Sequence, residues 1–158
     1  MRVSIVTVSD SVSSGTREDG SGKALEARCS ELEWEVISRS VVPDNEALIR
    51  AQLVALADSG KLDAVFTTGG TGLGPRDVTP EATTAVVTRQ IPGLAELMRQ
   101  TGVQKTKKAA LSRAICGIRG ECLIVNLPGS PRGAVESFDA IAELLPHAVE
   151  VLHGARHD

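Results

Sequence analysis

Hydrophobic and polar positions fall into blocks that alternate between strand and helix from the first residue. Residues 2–9 (RVSIVTVS) are apolar and β-branched nearly throughout, as expected of a strand buried on both faces. The polar Gly/Ser stretch over 10–22 reads as a loop, after which Leu25, Cys29 and Leu32 fall at helical spacing. Glu35–Val42 reads as a second strand. Pro43-Asp44 then opens a helix with Ile49, Leu53 and Leu56 on one face, stopped by Gly60. Residues 63–68 (DAVFTT) are a third strand that runs straight into Gly69-Gly70-Thr71-Gly72-Leu73-Gly74.

Thr79-Pro80-Glu81 has the residue types of a helix start: Thr79 as N-cap, proline in the first position and an acid in the first turn. Residues 111–117 and 121–127 read as strands joined at Arg119-Gly120, a hairpin. Ser130-Pro131 repeats the cap-plus-proline signal. Val135, Phe138, Ala142, Leu145, Val149 and Leu152 then mark a long amphipathic helix with a kink at Pro146. With no internal repeat or linker, the chain reads as one domain over 1–158. The predicted class is α/β, a three-layer α/β/α sandwich whose mostly parallel sheet has one antiparallel edge strand.

Composition narrows the functions open to such a domain. At 158 residues the chain supports its own core without disulfide or metal. A net charge of −3 argues against coating nucleic acid, and 2% aromatic residues argue against stacking platforms for single strands. Apolar runs of about five residues, as at 53–57, fall far short of the ~20 that span a bilayer. Cys29, Cys116 and Cys122 are an odd count without a CxxC pair, which reads as reduced core thiols in a cytoplasmic protein. His147, His153 and His157 lack Cys or carboxylate partners at ligand spacing and are not read as a metal tract.

Chemistry is expected at the carboxyl ends of the strands, where ligands gather in such sheets. Four of the six residues in 69–74 are glycine, more than a tight turn needs, and such a loop turns backbone N–H groups inward as an anion nest. It is not a Walker loop, since no Gly-Lys-Ser/Thr follows, nor a GxGxxG opening a helix. Two carboxylates, Asp44 and Asp77, follow different strands. Asp44 alone could be an N-cap, and Asp77 could simply pair with Arg76. Beside a phosphate nest, however, the acids call for an intervening cation, and Mg²⁺ is the natural one. Arg99, Lys105, Lys107, Lys108, Arg113 and Arg119 form a basic run without an acid, either a solvated loop or a rim that attracts anions. Ser9-Asp10 and Pro128-Gly129-Ser130 complete the strand-end residues, and either could be capping alone.

These motifs resemble the molybdopterin-binding proteins of the MogA/MoaB type. The resemblance rests on Thr67-Thr68-Gly69-Gly70-Thr71-Gly72 followed by Arg76-Asp77-Val78-Thr79-Pro80-Glu81-Ala82-Thr83. It continues in Thr7-Val8-Ser9-Asp10 with Gly15, Asp19 and Ser21-Gly22, in Val42-Pro43-Asp44, in Leu111-Ser112-Arg113 and in 126–131 (NLPGSP). It implies molybdenum cofactor biosynthesis, with Mg²⁺-dependent adenylylation of molybdopterin by ATP. It further implies a homotrimer or hexamer and transfer of the product to a MoeA-type molybdate insertion enzyme. Aspartates matching Asp44 and Asp77 are the functional acids of the catalytic branch.

On that basis Asp77 and Asp44 are expected to hold Mg²⁺ against the ATP phosphates. The amides of 69–72 and Thr71 would cradle a phosphate. Ser9, Asp10 and Ser130 would line the rest, with Thr68, Thr79, Glu81, Pro128 and Gly129 around them and Arg113 drawing in the anion. Three alternatives remain: a non-catalytic molybdopterin carrier, a CinA-like nucleotide pyrophosphatase, and a gephyrin-like scaffold. Arg76-Asp77-Val78-Thr79-Pro80 stands where the second would have a tandem acidic run, and the third usually needs further domains. Phe66 is the one aromatic near the site and reads as core, leaving no ring to stack a pterin.

Overall fold

The computed structural model describes residues 1–156. Six strands, Arg2–Val8 (β1), Glu35–Val42 (β2), Ala64–Thr68 (β3), Arg89–Gln90 (β4), Cys116–Arg119 (β5) and Cys122–Leu127 (β6), form one sheet in the order β2-β1-β3-β6-β5-β4. β2, β1, β3 and β6 are parallel, while β5 runs against both β6 and β4. The antiparallel strand is therefore one place in from the edge. The edge itself is β4, whose two exposed residues carry no strand pattern of their own. The helices are Asp10–Ser13 (α1), Gly20–Glu31 (α2), Glu46–Ala57 (α3), Thr79–Val86 (α4), Pro92–Val103 (α5), Pro131–Ile141 (α6) and Leu145–Leu152 (α7).

Alternation along the strands sorts the core into two layers, because successive side chains point to opposite faces. Val3, Ile5, Ala64, Phe66, Leu123, Val125 and Leu127 meet α2, α5, α6 and α7 through Leu25, Met98, Phe138 and Leu145. Val6, Val8, Val65 and Ile124 meet α3 and α4 through Ile49, Leu53, Ala82 and Val86. Phe66 is fully buried and packs with Trp34 and Phe138, ring centroids 6.4 and 5.2 Å away, so it is core and does not reach the strand ends.

Several local expectations are corrected. The stretch 10–22 contains α1, capped by Ser9 Oγ accepting from the Val12 amide, and the start of α2, capped by Asp19 accepting from Gly22 N. Residues 107–111 form a 3₁₀ turn, so the strand expected from 111 begins only at Cys116. The long C-terminal helix is broken at 142–144 rather than merely bent, because Pro146 has no N–H for the preceding turn. α5 is not among the predicted elements. Its buried face is Leu94, Ala95 and Met98, opened by Pro92.

A buried polar knot joins the layers. Asn126 Nδ2 donates to Thr67 Oγ1 and Thr83 Oγ1, both at 2.9 Å, and its Oδ1 accepts from Ile115 N at 3.1 Å. Asn126→Ala leaves the Ile115 amide without its acceptor and is expected to cost about 3 kcal/mol. Urea unfolding should show a clearly lower midpoint, and an unchanged midpoint would contradict this role.

Burial pushes the Cys29 thiol up to about 11 and those of Cys116 and Cys122 up to about 12. Since only thiolate reacts, the native protein should consume almost no thiol reagent at pH 8, and all three cysteines should react after denaturation. A fast-reacting native thiol would contradict it. His153 Nε2 lies 3.2 Å from the Glu121 carbonyl oxygen, and His157 is outside the described residues. No helix among the described residues is long and apolar enough to cross a membrane.

Candidate functional site

The chain goes from β1 to one neighbour, β2, and then crosses to the other, β3, so the sheet has its topological switch point between β1 and β3. Register brings the ends level: Thr7 pairs with Thr68, Val8 with Val42 and Thr68 with Leu127. Ser9, Pro43, Gly69 and Pro128 therefore follow in a row along one edge. Above it opens a cavity of about 490 Å³. Its lining includes the start of α2 (Gly20, Ser21) and of α6 (Ser130, Pro131). Both helices begin at this rim, and a helix N-terminus carries partial positive charge.

The first two loops are locked together by Asp10 and Asp44. The Asp10 amide donates to Asp44 Oδ2 at 2.9 Å, and the Asp44 amide donates to Asp10 Oδ1 at 3.0 Å. Arg76 clamps Asp10 from the glycine-loop side, donating to both carboxylate oxygens at 3.0 and 3.1 Å. Arg76 is thus the partner of Asp10, not of Asp77. Nor is Asp44 the N-cap of α3; Asn45 takes that role and accepts from Leu48 N. Burial pushes the Asp44 carboxyl above its ordinary range; the Asp10 amide opposes this and the charges of Asp10 and Asp77 reinforce it.

The glycine loop is shaped by close approach. Gly69 has φ of +105° and its amide completes the sheet by donating to Leu127 O at 3.1 Å. That amide is consequently unavailable to an anion, which narrows the expected cradle. The amides of Gly70, Thr71 and Gly72 donate to nothing among the described residues. A Cβ on Gly70 (φ +70°) would lie 2.3 Å from Thr79 Oγ1 and 3.3 Å from Asp44 Oδ1, so this glycine sits against one of the acids. Asp77 Oδ2 accepts from Gly74 N at 2.9 Å, holding the far side of the loop. Thr79 is the first residue of α4 rather than its cap, since its hydroxyl donates to Gly69 O at 2.9 Å.

Of the residues expected from sequence, Ser9, Asp44, Thr68, Gly69, Gly70, Asp77, Gly129 and Ser130 line this cavity. Asp10, Thr71, Gly72, Thr79, Glu81, Arg113 and Pro128 stand outside its lining and act as supports. Thr68 Oγ1 donates to Pro128 O at 2.6 Å, tying the last strand-end loop to β3. Arg113 does not offer its charge to the cavity: it donates to Gly72 O at 2.8 Å and to Asp77 O at 2.7 Å, and pairs with Glu81. That hydrogen bond holds the Glu81 carboxyl below its ordinary range.

The basic run does not form a rim either. Arg99 holds the carbonyls of Ser112 and Ala114, Lys105 pairs with Glu136 and Arg119 with Asp58. Sequence reasoning missed Arg17 and Glu18 in the lining, because both sit in a stretch read as featureless loop.

A switch-point cavity bordered by the open Gly70 amide, two helix N-termini and the carboxylates of Asp44 and Asp77 places the chain among doubly wound domains with a ligand cavity at the strand ends. Comparison with known proteins makes the class specific. The chain belongs to the probable molybdopterin binding domain family of molybdenum cofactor biosynthesis, which matches residues 4–147. It is 39% identical to the molybdopterin adenylyltransferase of Helicobacter pylori J99, over 98% of this chain and 89% of that protein. It is 36% identical to the molybdopterin adenylyltransferase of Escherichia coli K12, over 98% and 86%. Among solved structures, the molybdopterin biosynthesis enzyme MoaB of Thermus thermophilus superposes with a TM-score of 0.91 at 47% identity, covering 99% of each chain.

Proposed function

We propose that this chain is a molybdopterin adenylyltransferase that works in the switch-point cavity. Its substrates are ATP and molybdopterin, and its products adenylyl-molybdopterin and pyrophosphate. An oxygen of the molybdopterin phosphate forms a new bond to the α-phosphorus of ATP. The bond from that phosphorus to the β-phosphate oxygen breaks, and pyrophosphate leaves with the electron pair. The observation that carries the reading is the placement of Asp44 and Asp77 in one cavity with the open Gly70 amide.

The donor set suits Mg²⁺. Each acid has one oxygen committed, Asp44 Oδ2 to Asp10 N and Asp77 Oδ2 to Gly74 N, while each Oδ1 accepts nothing from the described residues. Two such oxygens completed by substrate phosphates are what this ion commonly takes, and no group of three His, Cys, Asp or Glu among the described residues forms a protein-only cage. When bound, the ion supplies charge neutralisation between the carboxylates and the phosphates.

The chain's own residues do the rest. A phosphate monoester has a second pKa near 6, so the nucleophile is already mostly anionic at neutral pH and no strong base is required. Catalysis then rests on positioning and preorganised charge. The Gly70 amide and the N-termini of α2 and α6 take phosphate oxygens. Asp10 and Arg76 fix Asp44, and Arg113 with Thr79 fixes the glycine loop. A homotrimer, a cytoplasmic location and transfer to a MoeA-type partner complete the proposal on the strength of family likeness.

The test is pyrophosphate release by purified protein given ATP, Mg²⁺ and molybdopterin. Release that needs all three supports the reading. Tight molybdopterin binding without release would make the chain a carrier, and release from ATP without molybdopterin would make it a pyrophosphatase.

A further inference from the structure

We propose that Arg17 is the cation of this cavity and binds a phosphate group of the substrate that enters it. This deepens the adenylyl-transfer reading of the same site and rests on it for the identity of the substrates.

The cavity is acidic where its ligand must be anionic. Its lining holds the carboxylates of Glu18, Asp19, Asp44 and Asp77, and Arg17 is the one lysine or arginine among the lining residues. The other arginines nearby are neutralised, Arg76 by Asp10 and Arg113 by Glu81. Arg17 makes no ion pair with a described carboxylate. Its guanidinium donates to the neutral Ser9 Oγ at 3.3 Å. With five N–H donors in a planar fork, that single bond leaves the paired donors that suit a phosphate.

The backbone that carries the side chain is placed. Its own amide donates to Ser11 O at 3.1 Å, which closes the loop after α1. Ser9 is itself fixed at the end of β1, where its hydroxyl caps α1 through the Val12 amide at 3.2 Å. The guanidinium thus reaches Ser9 at the cavity lining, on an exposed residue that core packing does not require. An arginine exposed and without a carboxylate partner beside an acidic cavity serves ligand binding better than stability.

Calorimetric titration with inorganic tripolyphosphate, for the wild type, Arg17→Ala and Arg17→Lys, reads the site without needing turnover. Loss of a charge-assisted phosphate contact is expected to weaken binding about tenfold in Arg17→Ala. Arg17→Lys should be intermediate, and melting temperatures should stay together. The source of the phosphate follows from two further arms. A weakened titration with ATP and Mg²⁺ at unchanged KM for molybdopterin assigns Arg17 to the nucleotide, and the reverse assigns it to the pterin phosphate. Equal affinity of all three proteins for tripolyphosphate overturns the inference. If the wild type releases no pyrophosphate, the adenylyl-transfer reading fails, while the tripolyphosphate titration still decides Arg17.

Discussion

Asp77→Asn is expected to abolish pyrophosphate release while molybdopterin still binds. Asparagine keeps the volume of the side chain and an oxygen that can accept from Gly74 N, now at 2.9 Å from Asp77 Oδ2, so the loop should hold its shape. What disappears is one of the two negative charges offered to a divalent ion beside the phosphates. Loss of a preorganised charge contact at a reacting phosphoryl group costs about 10²–10³ in rate, and loss of the ion it holds costs more. A coupled phosphate assay reads the first effect, and calorimetry with molybdopterin reads the retained binding. Normal turnover by this variant would remove Asp77 from the mechanism.

Gly69→Ala should produce the largest loss of stability of any single methyl added near the site. The residue sits at φ +105°, a conformation that L side chains rarely adopt, and its Cβ would fall 2.3 Å from the Val8 carbonyl oxygen. Val8 ends β1 and Gly69 directly follows β3, so the clash is with backbone, which cannot turn aside as a side chain would. About 3–5 kcal/mol is expected, in the range reserved for severe backbone conflicts. At roughly 2–4 °C per kcal/mol for a chain of this size, the melting transition should fall by about 6–20 °C. Gly129→Ala is the control: its Cβ would meet Gly69 Cα at 3.2 Å, a milder contact. A Gly69→Ala transition within 2 °C of wild type would mean that the loop can relax.

The parts of this site that could be read from sequence are those with short-range signatures. β1, β2, β3 and β6 announced themselves by β-branched runs, and the strand-end positions of Ser9, Asp44, Gly69 and Ser130 followed from them. The glycine loop was visible because four glycines in six residues exceed what a turn demands. What stayed hidden depends on pairing across the chain. Asp44 looked like a cap because its reciprocal bonds with Asp10 span 34 residues. Arg113 looked like an anion attractor because nothing local shows that Glu81, 32 residues earlier, neutralises it. β4 escaped notice since two residues have no periodicity. Arg17 escaped because its significance lies in which other arginines are already paired, and only the folded molecule shows that.

In the proposed mechanism a polyanion and a divalent ion meet at the β1–β3 switch point, between the glycine loop and the two acids. The most direct measurement is a crystal structure of the protein soaked with ATP and Mg²⁺. Triphosphate density in the cavity lined by Gly70, Asp44 and Asp77, with an ion beside those two carboxylates, is the predicted result. Triphosphate bound on another face, with those two carboxylates contacting neither ion nor phosphate, would contradict it.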